Sequence, residues 1–295
     1  MLLRTRIYLA VLVFLLVATV ASSAQTRVGP QNGTLILSSL LDATPVESEV
    51  YKRFIELVGG PHQMIVIIPT ARGAEKYDES YRLYSRLREV GATNLFLLHT
   101  YDKTVADSQR FVEPLHKARG VIIGGGDQTL LADAYLDTRT QRELSALLDR
   151  GGVIAGNSAG AMIMGSFLAR GEKGLALESP TIMGDHVQGF GWLRDVVVLP
   201  HLLTFNRQFD LLRLKRLHPN LLGIGLDDPT AIIVQDNKFE IIGTGRVAIY
   251  DREPAVDPEG SFYFLGVGDS FNLLTREAVR GRDRVALPRV IKNTH

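Results

Sequence analysis

The chain has 295 residues, of which 45% are hydrophobic and 22% are charged, and it contains no cysteine. This composition is too apolar for a disordered chain, and the length is enough to bury a sizeable core in one large domain or two small ones. The net charge of +1 implies no general affinity for nucleic acid, and the lack of cysteine excludes disulfides, thiolate metal sites and a cysteine nucleophile.

Residues 1–24 have the pattern of a secretory signal peptide. A basic start with two arginines precedes an uncharged apolar run at residues 7–21. Ser22 and Ala24 are small residues at the two positions before the cleavage site where a signal peptidase requires them. The run is short for a membrane span, which needs about 20 apolar residues. We therefore expect cleavage after Ala24, a secreted or periplasmic protein and no stable membrane association of the mature chain; an uncleaved anchor is the alternative.

Short apolar runs alternate with helical patterns in the first half of the chain. Residues 65–68, 95–98 and 121–123 are continuous apolar runs, which are typical of strands buried on both faces. Residues 81–90 and 111–117 between them have helical spacing. This alternation predicts an α/β fold with a mostly parallel sheet that helices cover on both faces.

A glycine-rich segment, GGGDQT at residues 124–129, follows the third apolar run and precedes another helical pattern. It lacks the Gly-Lys-Ser/Thr ending of a nucleotide-binding loop and the glycine spacing of a dinucleotide-binding loop. Neighbouring parallel strands bring their loops to the same edge of a sheet. An N–H group of Gly126 or Asp127 is therefore a candidate oxyanion donor, and Gln128 is a candidate for contact with a substrate.

The strongest chemical signal is VIAGNSAGAM at residues 153–162. A short apolar strand runs into Gly-x-Ser-x-Gly and then into a helix-forming stretch, which is the pattern of a nucleophile elbow. Small residues allow a sharp turn that presents the Ser158 hydroxyl, and the N–H of Ala159 is placed to donate to an oxyanion. The alternative is a glycine-rich turn with an incidental serine, since matches to five residues arise often by chance.

A serine nucleophile needs a base, usually histidine. Among the seven histidines, His201 directly follows the apolar strand predicted at residues 196–200. His99 ends another predicted strand and His186 lies in a predicted loop, so neither is excluded. We take His201 as the candidate base, with a solvated loop histidine as the alternative.

The base in turn needs an acid that orients it, and two aspartates follow the strand predicted at residues 222–226. Pro229 disfavours a helical conformation at Asp228 and keeps it extended. We take Asp228 as the candidate acid and Asp227 as the reserve. A turn or a helix cap is the alternative interpretation of this pair.

The pattern after Asp227 changes to short apolar segments separated by turns, which predicts a C-terminal antiparallel extension of the sheet. No repeat and no linker divides the chain, so we expect residues 25–295 to form a single domain. The basic tail at residues 280–295 is expected to be loosely held. The predicted segments of the extension are 231–234, 239–242, 247–250 and 262–265.

The candidate residues occur in the order Ser158, His201, Asp228, whereas an α/β-hydrolase has the order Ser, acid, His. With these residues in place, the sequence resembles the serine peptidase family of cyanophycinases and aspartyl dipeptidases, and the cyanophycinase branch is the more similar. The matching segments lie in family order over most of residues 35–250. They are IPTA at 68–71, GGGDQ at 124–128, GNSAGA at 156–161, GFGWL at 189–193, His201, and LGIGLDDPTA at 222–231.

The resemblance implies a class I glutamine amidotransferase-like three-layer α/β sandwich with Ser158 as nucleophile and His201 as base. Asp228 then stands where the family has a glutamate, so the acid's arm is shorter by one carbon. The resemblance also implies a homodimer. We expect the three side chains to converge at a single edge of the sheet, with no metal and no cofactor required.

The surroundings of His201 depart from the family pattern. The family has Asp-Gln-His-Phe where this chain has LPHL at residues 199–202, so an acidic residue that would help to hold an arginine-bearing substrate is absent. Of a regular series of arginines after the histidine, only Arg207 is present. The first strand ends in SSLL at residues 38–41 rather than in a glycine pair, and Arg72 replaces a small residue. The catalytic residues therefore match the family while the substrate-binding residues differ.

These observations favour a secreted serine hydrolase of peptide or isopeptide bonds, with a β-aspartyl-type peptide as the first substrate to test. Ala159 and Gly126 would donate to the oxyanion. Arg207, Gln128 and Arg72 would bind carboxylate or amide groups of the substrate. The alternatives are a binding or scaffold protein that keeps the fold without the activity, and an acyltransferase that uses the same serine.

Overall fold

The computed structural model describes residues 27–40, 45–171, 184–251 and 262–281. The predicted signal peptide and almost all of the basic tail lie outside these residues. Within the described ranges, no helix combines the length and the apolar character needed to cross a bilayer.

The described residues form an α/β sandwich of helices and two sheets. The helices are α1 (Pro45–Leu57), α2 (Arg82–Glu89), α3 (Lys103–Ala106), α4 (Gln109–Lys117), α5 (Gln128–Tyr135), α6 (Arg139–Asp149), α7 (Ala159–Met162) and α8 (Asp210–Leu217). The strands are β1 (Thr34–Ser39), β2 (Ile65–Ile68), β3 (Leu95–Leu97), β4 (Gly120–Ile123), β5 (Val153–Asn157), β6 (Gly165–Phe167), β7 (Leu193–Pro200), β8 (Leu222–Leu226), β9 (Thr230–Gln235), β10 (Lys238–Gly243), β11 (Val247–Tyr250), β12 (Tyr263–Leu265), β13 (Ser270–Asn272) and β14 (Glu277–Val279).

The larger sheet has nine strands in the order β14-β13-β10-β9-β1-β5-β4-β2-β3. The five strands from β1 to β3 in this order are parallel, as the alternating pattern predicts, and β9, β10, β13 and β14 add antiparallel pairs on the other side. The predicted antiparallel extension is therefore confirmed for this sheet. β3 is an edge strand and is only partly buried, with Phe96 42% exposed.

A second sheet, with the order β12-β11-β8-β7-β6, corrects the expectation of one sheet. β6, β7 and β8 are parallel, and β11 and β12 continue antiparallel. Continuous apolar strands are buried on both faces in either sheet, so the apolar pattern does not reveal which sheet a strand joins.

The core lies on both faces of the larger sheet because successive side chains of a strand point to opposite faces. Ile36 of β1 and Ile67 of β2 pack in a cluster beneath α1 and α2. Leu37, one residue on, points into the opposite cluster, which continues through Val197 of β7 and Ile224 of β8. One continuous core therefore joins the two sheets.

Candidate active site

The backbone turns sharply at Ser158, between β5 and α7. Ser158 has φ 53° and ψ −116°, values that are uncommon for a residue with a side chain. A Cβ at Gly156 would lie 2.2 Å from the Gly160 carbonyl oxygen, and a Cβ at Gly160 would lie 2.3 Å from that of Ile123. Glycine is thus required on both sides of the serine, and the turn has the form of a nucleophile elbow.

The helix after the elbow is short. α7 has only four residues, and β6 begins at Gly165. The N–H groups of Ala161 and Met162 donate to the Ser158 carbonyl at 2.9 and 3.0 Å, whereas the N–H of Ala159 makes no hydrogen bond to a described residue. Ala159 therefore has a backbone donor beside Ser158 that the described residues do not use.

His201 directly follows β7, and its imidazole reaches Ser158. Nε2 of His201 lies 2.8 Å from Oγ of Ser158. The histidine is 2% exposed, and its ring packs against Phe205 in a T-shaped arrangement with the ring centroids 5.4 Å apart. Its backbone has φ 57°, which is unusual for a residue of this size.

Asp228 lies on the other side of the imidazole. Both carboxylate oxygens are 2.9 Å from Nδ1 of His201. In the tautomer that carries the proton on Nδ1, Asp228 accepts this proton's hydrogen bond and Nε2 is free to accept from Ser158. Asp227, the reserve, faces elsewhere and accepts the N–H of Leu203 at 3.1 Å.

The surroundings of Asp228 favour its charged form. Burial by itself raises the pKa of this carboxyl, but hydrogen bonds from His201, Thr204 and Ser39, together with the His201 charge, bring the pKa below its usual value. Asp228 is therefore a carboxylate at neutral pH, as a partner that stabilises an imidazolium must be.

The glycine loop after β4 lies against the elbow. A Cβ at Gly125 would lie 3.0 Å from Cβ of Ser158, so of the three glycines Gly125 is the one in contact with the serine. The N–H of Asp127 donates to the Ala71 carbonyl at 2.8 Å. The Asp127 side chain accepts the Thr129 N–H at the start of α5. Asp127 is thus a helix cap, and Gly125 and Gly126 border the cleft.

A cleft of about 410 Å³ opens at Ser158. Arg72, in the turn after β2, is exposed and lines it. Tyr81 reaches across to the glycine loop, and burial raises the pKa of its hydroxyl to about 12, so it remains a donor at neutral pH. The far wall carries Glu47 and Arg82, with Oε2 and Nη2 3.5 Å apart. The remaining lining residues are Leu40, Tyr51, Ser80, Leu83, Gly124, Gly125, Gly126, Asn157, His201 and Phe205.

Comparisons with known proteins identify the family of the chain. The sequence profile described as "Peptidase family S51" matches residues 34–242, which is more than half of the chain. The chain belongs to this family. It is a serine-type peptidase, and so a hydrolase.

Curated relatives and a solved structure support the family S51 assignment. A protein named cyanophycinase from Geminocystis herdmanii is 31% identical over 250 residues, which cover 79% of this chain and 91% of that protein. A cyanophycinase from a Nostoc species is 29% identical over 256 residues, covering 81% and 85%. The crystal structure of a peptidase from an acI-B1 actinobacterium has a TM-score of 0.64 at 25% identity, covering 83% of this chain and 98% of that chain.

Two of the expected substrate-binding residues in this S51 peptidase are buried away from the cleft. Gln128 is 1% exposed, and its amide donates to the carbonyl of Arg170. Arg207 is 3% exposed, its guanidinium donates to the Pro200 carbonyl at 3.3 Å, and burial lowers its pKa to about 10. Both side chains support loops behind the site, so of the three candidates only Arg72 faces the cleft.

The other candidate histidines are also outside the cleft. His99 contacts the Thr70 hydroxyl through Nδ1 at 2.9 Å. His186 contacts a carboxylate oxygen of Asp133 through Nε2 at 2.7 Å. Within the described ranges, no cluster of three or more histidine, aspartate or glutamate side chains is arranged to hold a metal ion.

Two residues at the site have no signal in the local sequence. Ser39, the last residue of β1, contacts both Asp228 and His201. Asn157 precedes the elbow serine, and its side-chain amide pairs with the N–H and the carbonyl of Leu40 at 3.0 and 3.1 Å. Both residues make hydrogen bonds that join the β1 region to segments more than 100 residues away in the sequence. They could therefore be identified only from the order of the strands.

Proposed function

We propose that this S51 peptidase is secreted and hydrolyses peptide or isopeptide bonds with Ser158, His201 and Asp228 as its catalytic triad. The observation that carries the proposal is the unbroken set of hydrogen-bond distances from the Ser158 hydroxyl through the imidazole to the Asp228 carboxylate. The set lies at the floor of a cleft large enough for a peptide segment.

The mechanism follows from these contacts. Oγ of Ser158 attacks the carbonyl carbon of the scissile bond while its proton passes to Nε2 of His201. The N–H groups of Ala159 and the Gly125–Gly126 loop donate to the oxyanion, each contributing roughly 3 kcal/mol. His201 returns the proton to the leaving amine, and a water molecule activated by the same imidazole then hydrolyses the acyl-enzyme ester.

A β-aspartyl-type peptide is the first substrate to test. Two relatives carry the name cyanophycinase, and Arg72 stands in the cleft with a guanidinium that matches a carboxylate. We expect Arg72→Ala to raise KM about 10-fold for substrates with a free carboxylate and to leave kcat nearly unchanged. Arg110→Ala, an exposed arginine outside the cleft, is the matched control.

An activity assay and a covalent probe test the triad. A fluorophosphonate should label the purified protein at Ser158, and Ser158→Ala should abolish both labelling and peptide turnover. Equal turnover by Ser158→Ala would remove Ser158 as the nucleophile. If the folded protein neither turns over peptides nor reacts with the probe, the alternative of a binding or scaffold protein takes its place.

For the fold class, we infer the class I glutamine amidotransferase-like type. The inference is supported by the position of the nucleophile after β5, an inner parallel strand between β1 and β4, and by the helices that cover that sheet. Superposition of an experimental structure on an amidotransferase domain tests it through the strand order.

Secretion and assembly have separate tests. The charge and apolar pattern of residues 1–24 supports export with cleavage after Ala24, which leaves residues 25–295 as one domain. N-terminal sequencing of the exported protein should begin at Gln25, and a retained Met1 would support the anchor. Light scattering after size exclusion should give the mass of a homodimer.

A further inference from the structure

Ser39 is brought to the site by the crossing of the chain from one sheet to the other. β8 ends in the smaller sheet, and two residues after Asp228 the chain enters β9 of the larger sheet. β9 pairs antiparallel with β1 so that Ser39 lies opposite Thr230. The connection that carries Asp228 therefore passes directly over the Ser39 side chain, which is fully buried.

The Ser39 hydroxyl bonds to both members of the His201–Asp228 pair. Its Oγ lies 3.0 Å from Oδ1 of Asp228, to which it donates its proton. The backbone N–H of His201 donates to the same Oγ at 2.8 Å, and Nδ1 of His201 lies 3.2 Å away. The Ser39 hydroxyl thus donates its proton to the carboxylate and accepts from the histidine through its lone pairs, as a serine hydroxyl can.

The hydrogen bond from the His201 N–H to Ser39 affects the backbone conformation of His201. A non-glycine residue at φ 57° has a strained backbone, and this conformation persists only where the surroundings hold it. The buried N–H of His201 would lack its acceptor without Ser39. The hydroxyl therefore helps to keep the backbone conformation from which the imidazole points at Ser158.

We propose that Ser39 is a positioning residue for the catalytic pair: its hydroxyl aligns the Asp228 carboxylate and holds His201 in its strained conformation. This inference rests on the proposed function of Ser158, His201 and Asp228. Ser39 itself touches neither substrate nor the reacting atoms, since it does not line the cleft.

Fluorophosphonate labelling of Ser158 is the first test, because its rate reports the nucleophile without knowledge of the substrate. We expect Ser39→Ala to slow labelling and kcat roughly 10-fold, the loss of one charge-assisted hydrogen bond, with KM nearly unchanged. Thr34→Ala is the matched control, since Thr34 lies at the other end of β1 and its hydroxyl accepts from Gln235. Labelling of Ser39→Ala at the wild-type rate would overturn the inference.

A longer carboxylate should compensate for the loss of the hydroxyl. Ser39→Gly removes the side chain that contacts Asp228 and opens room for one methylene, which Asp228→Glu supplies. Each single variant should be slow, because one lacks the hydroxyl and the other crowds it, and the double variant should label faster than either. Additive losses in the double variant would contradict a direct coupling between the two residues.

The two proposals fail in different ways. A folded wild-type protein that never reacts with the probe refutes Ser158 as the nucleophile. The role of Ser39 is then tested by nuclear magnetic resonance. With histidine labelled by nitrogen-15, Ser39→Ala should shift the Nδ1–H resonance of His201 or mix its two tautomers. An unchanged resonance, with an unchanged melting temperature, would overturn the role of Ser39 whatever the activity.

Discussion

The two halves of the site are held in place by different kinds of interaction. The Ser158 half lies within residues 153–162, and its shape depends on backbone atoms packed so closely that Gly156 and Gly160 leave no room for a Cβ. The half formed by His201 and Asp228 depends on side chains, with a hydroxyl from β1 bonded to two loops of the other sheet. The first half is local in sequence and steric, whereas the second is distant in sequence and polar.

This difference predicts how each half fails. A substitution that adds an atom to the Ser158 half, the steric half, displaces the backbone and lowers the stability of the fold. A substitution in the His201–Asp228 half, the polar half, leaves the backbone in place but changes the tautomer, the orientation or the charge of the catalytic groups. The variants below separate the two outcomes, since activity and melting can be measured on the same protein.

The largest effect is expected for the acid in the polar half. Asp228→Asn keeps the shape of the side chain but removes the charge and favours the wrong imidazole tautomer, so kcat should fall roughly 10,000-fold. Asp227→Asn is the matched control, because an amide oxygen still accepts the N–H of Leu203. Steady-state kinetics on both variants checks this, and an equal loss at Asp227 would mean that the reserve carries the acid role.

Gly160→Ala tests the steric half. Its Cβ would lie 2.3 Å from the Ile123 carbonyl oxygen, and backbone has to move to relieve the overlap. We expect a loss of about 3 kcal/mol in the free energy of unfolding. Gly268→Ala, at φ 87° with open space around it, should lose only about 1 kcal/mol. Equal unfolding curves in denaturant for the two variants would show that the elbow has room to relax.

The smallest effect is the dependence of stability on pH. Because the pKa of Asp228 is lower in the folded state than its ordinary value of 3.8, folding favours its charged form. The resulting stabilisation is complete above the unfolded pKa and disappears as the pH falls through the folded pKa. Asp228→Asn lacks this contribution, so the difference in unfolding free energy from wild type should shrink below about pH 4. A constant difference down to pH 2.5 would contradict the shift.

Both catalytic halves were visible in the sequence to different extents. The elbow could be predicted because a run of small residues after an apolar strand permits only a narrow set of backbone turns. His201 and Asp228 could be placed at strand ends, but the preference for Asp228 over Asp227 rested on the following proline and on resemblance. The conformation of the loop decides which of the two carboxylates faces the imidazole, and neighbouring residues in the sequence do not determine that conformation.

The assignment of substrate residues shows the limit more clearly. Gln128 and Arg207 have polar side chains close in sequence to the site, yet both turn into the protein and bond to carbonyl groups. Burial of such groups depends on which carbonyls the packed loops leave without partners. Of the three substrate-binding candidates, Arg72 is the one that is exposed.

The sequence by itself determined the α/β class, the parallel strands of the larger sheet and the elbow at Ser158, because periodicity and glycine sterics act over a few residues. Only the tertiary structure decided that β7 and β8 belong to a second sheet, and that the chain crosses from β8 to β9 over Ser39. The β1–β9 pairing joins residues up to 201 positions apart, and the hydrogen bond from Ser39 to Asp228 joins residues 189 positions apart. Such pairings are chosen by the packing of the whole core, so no local pattern records them.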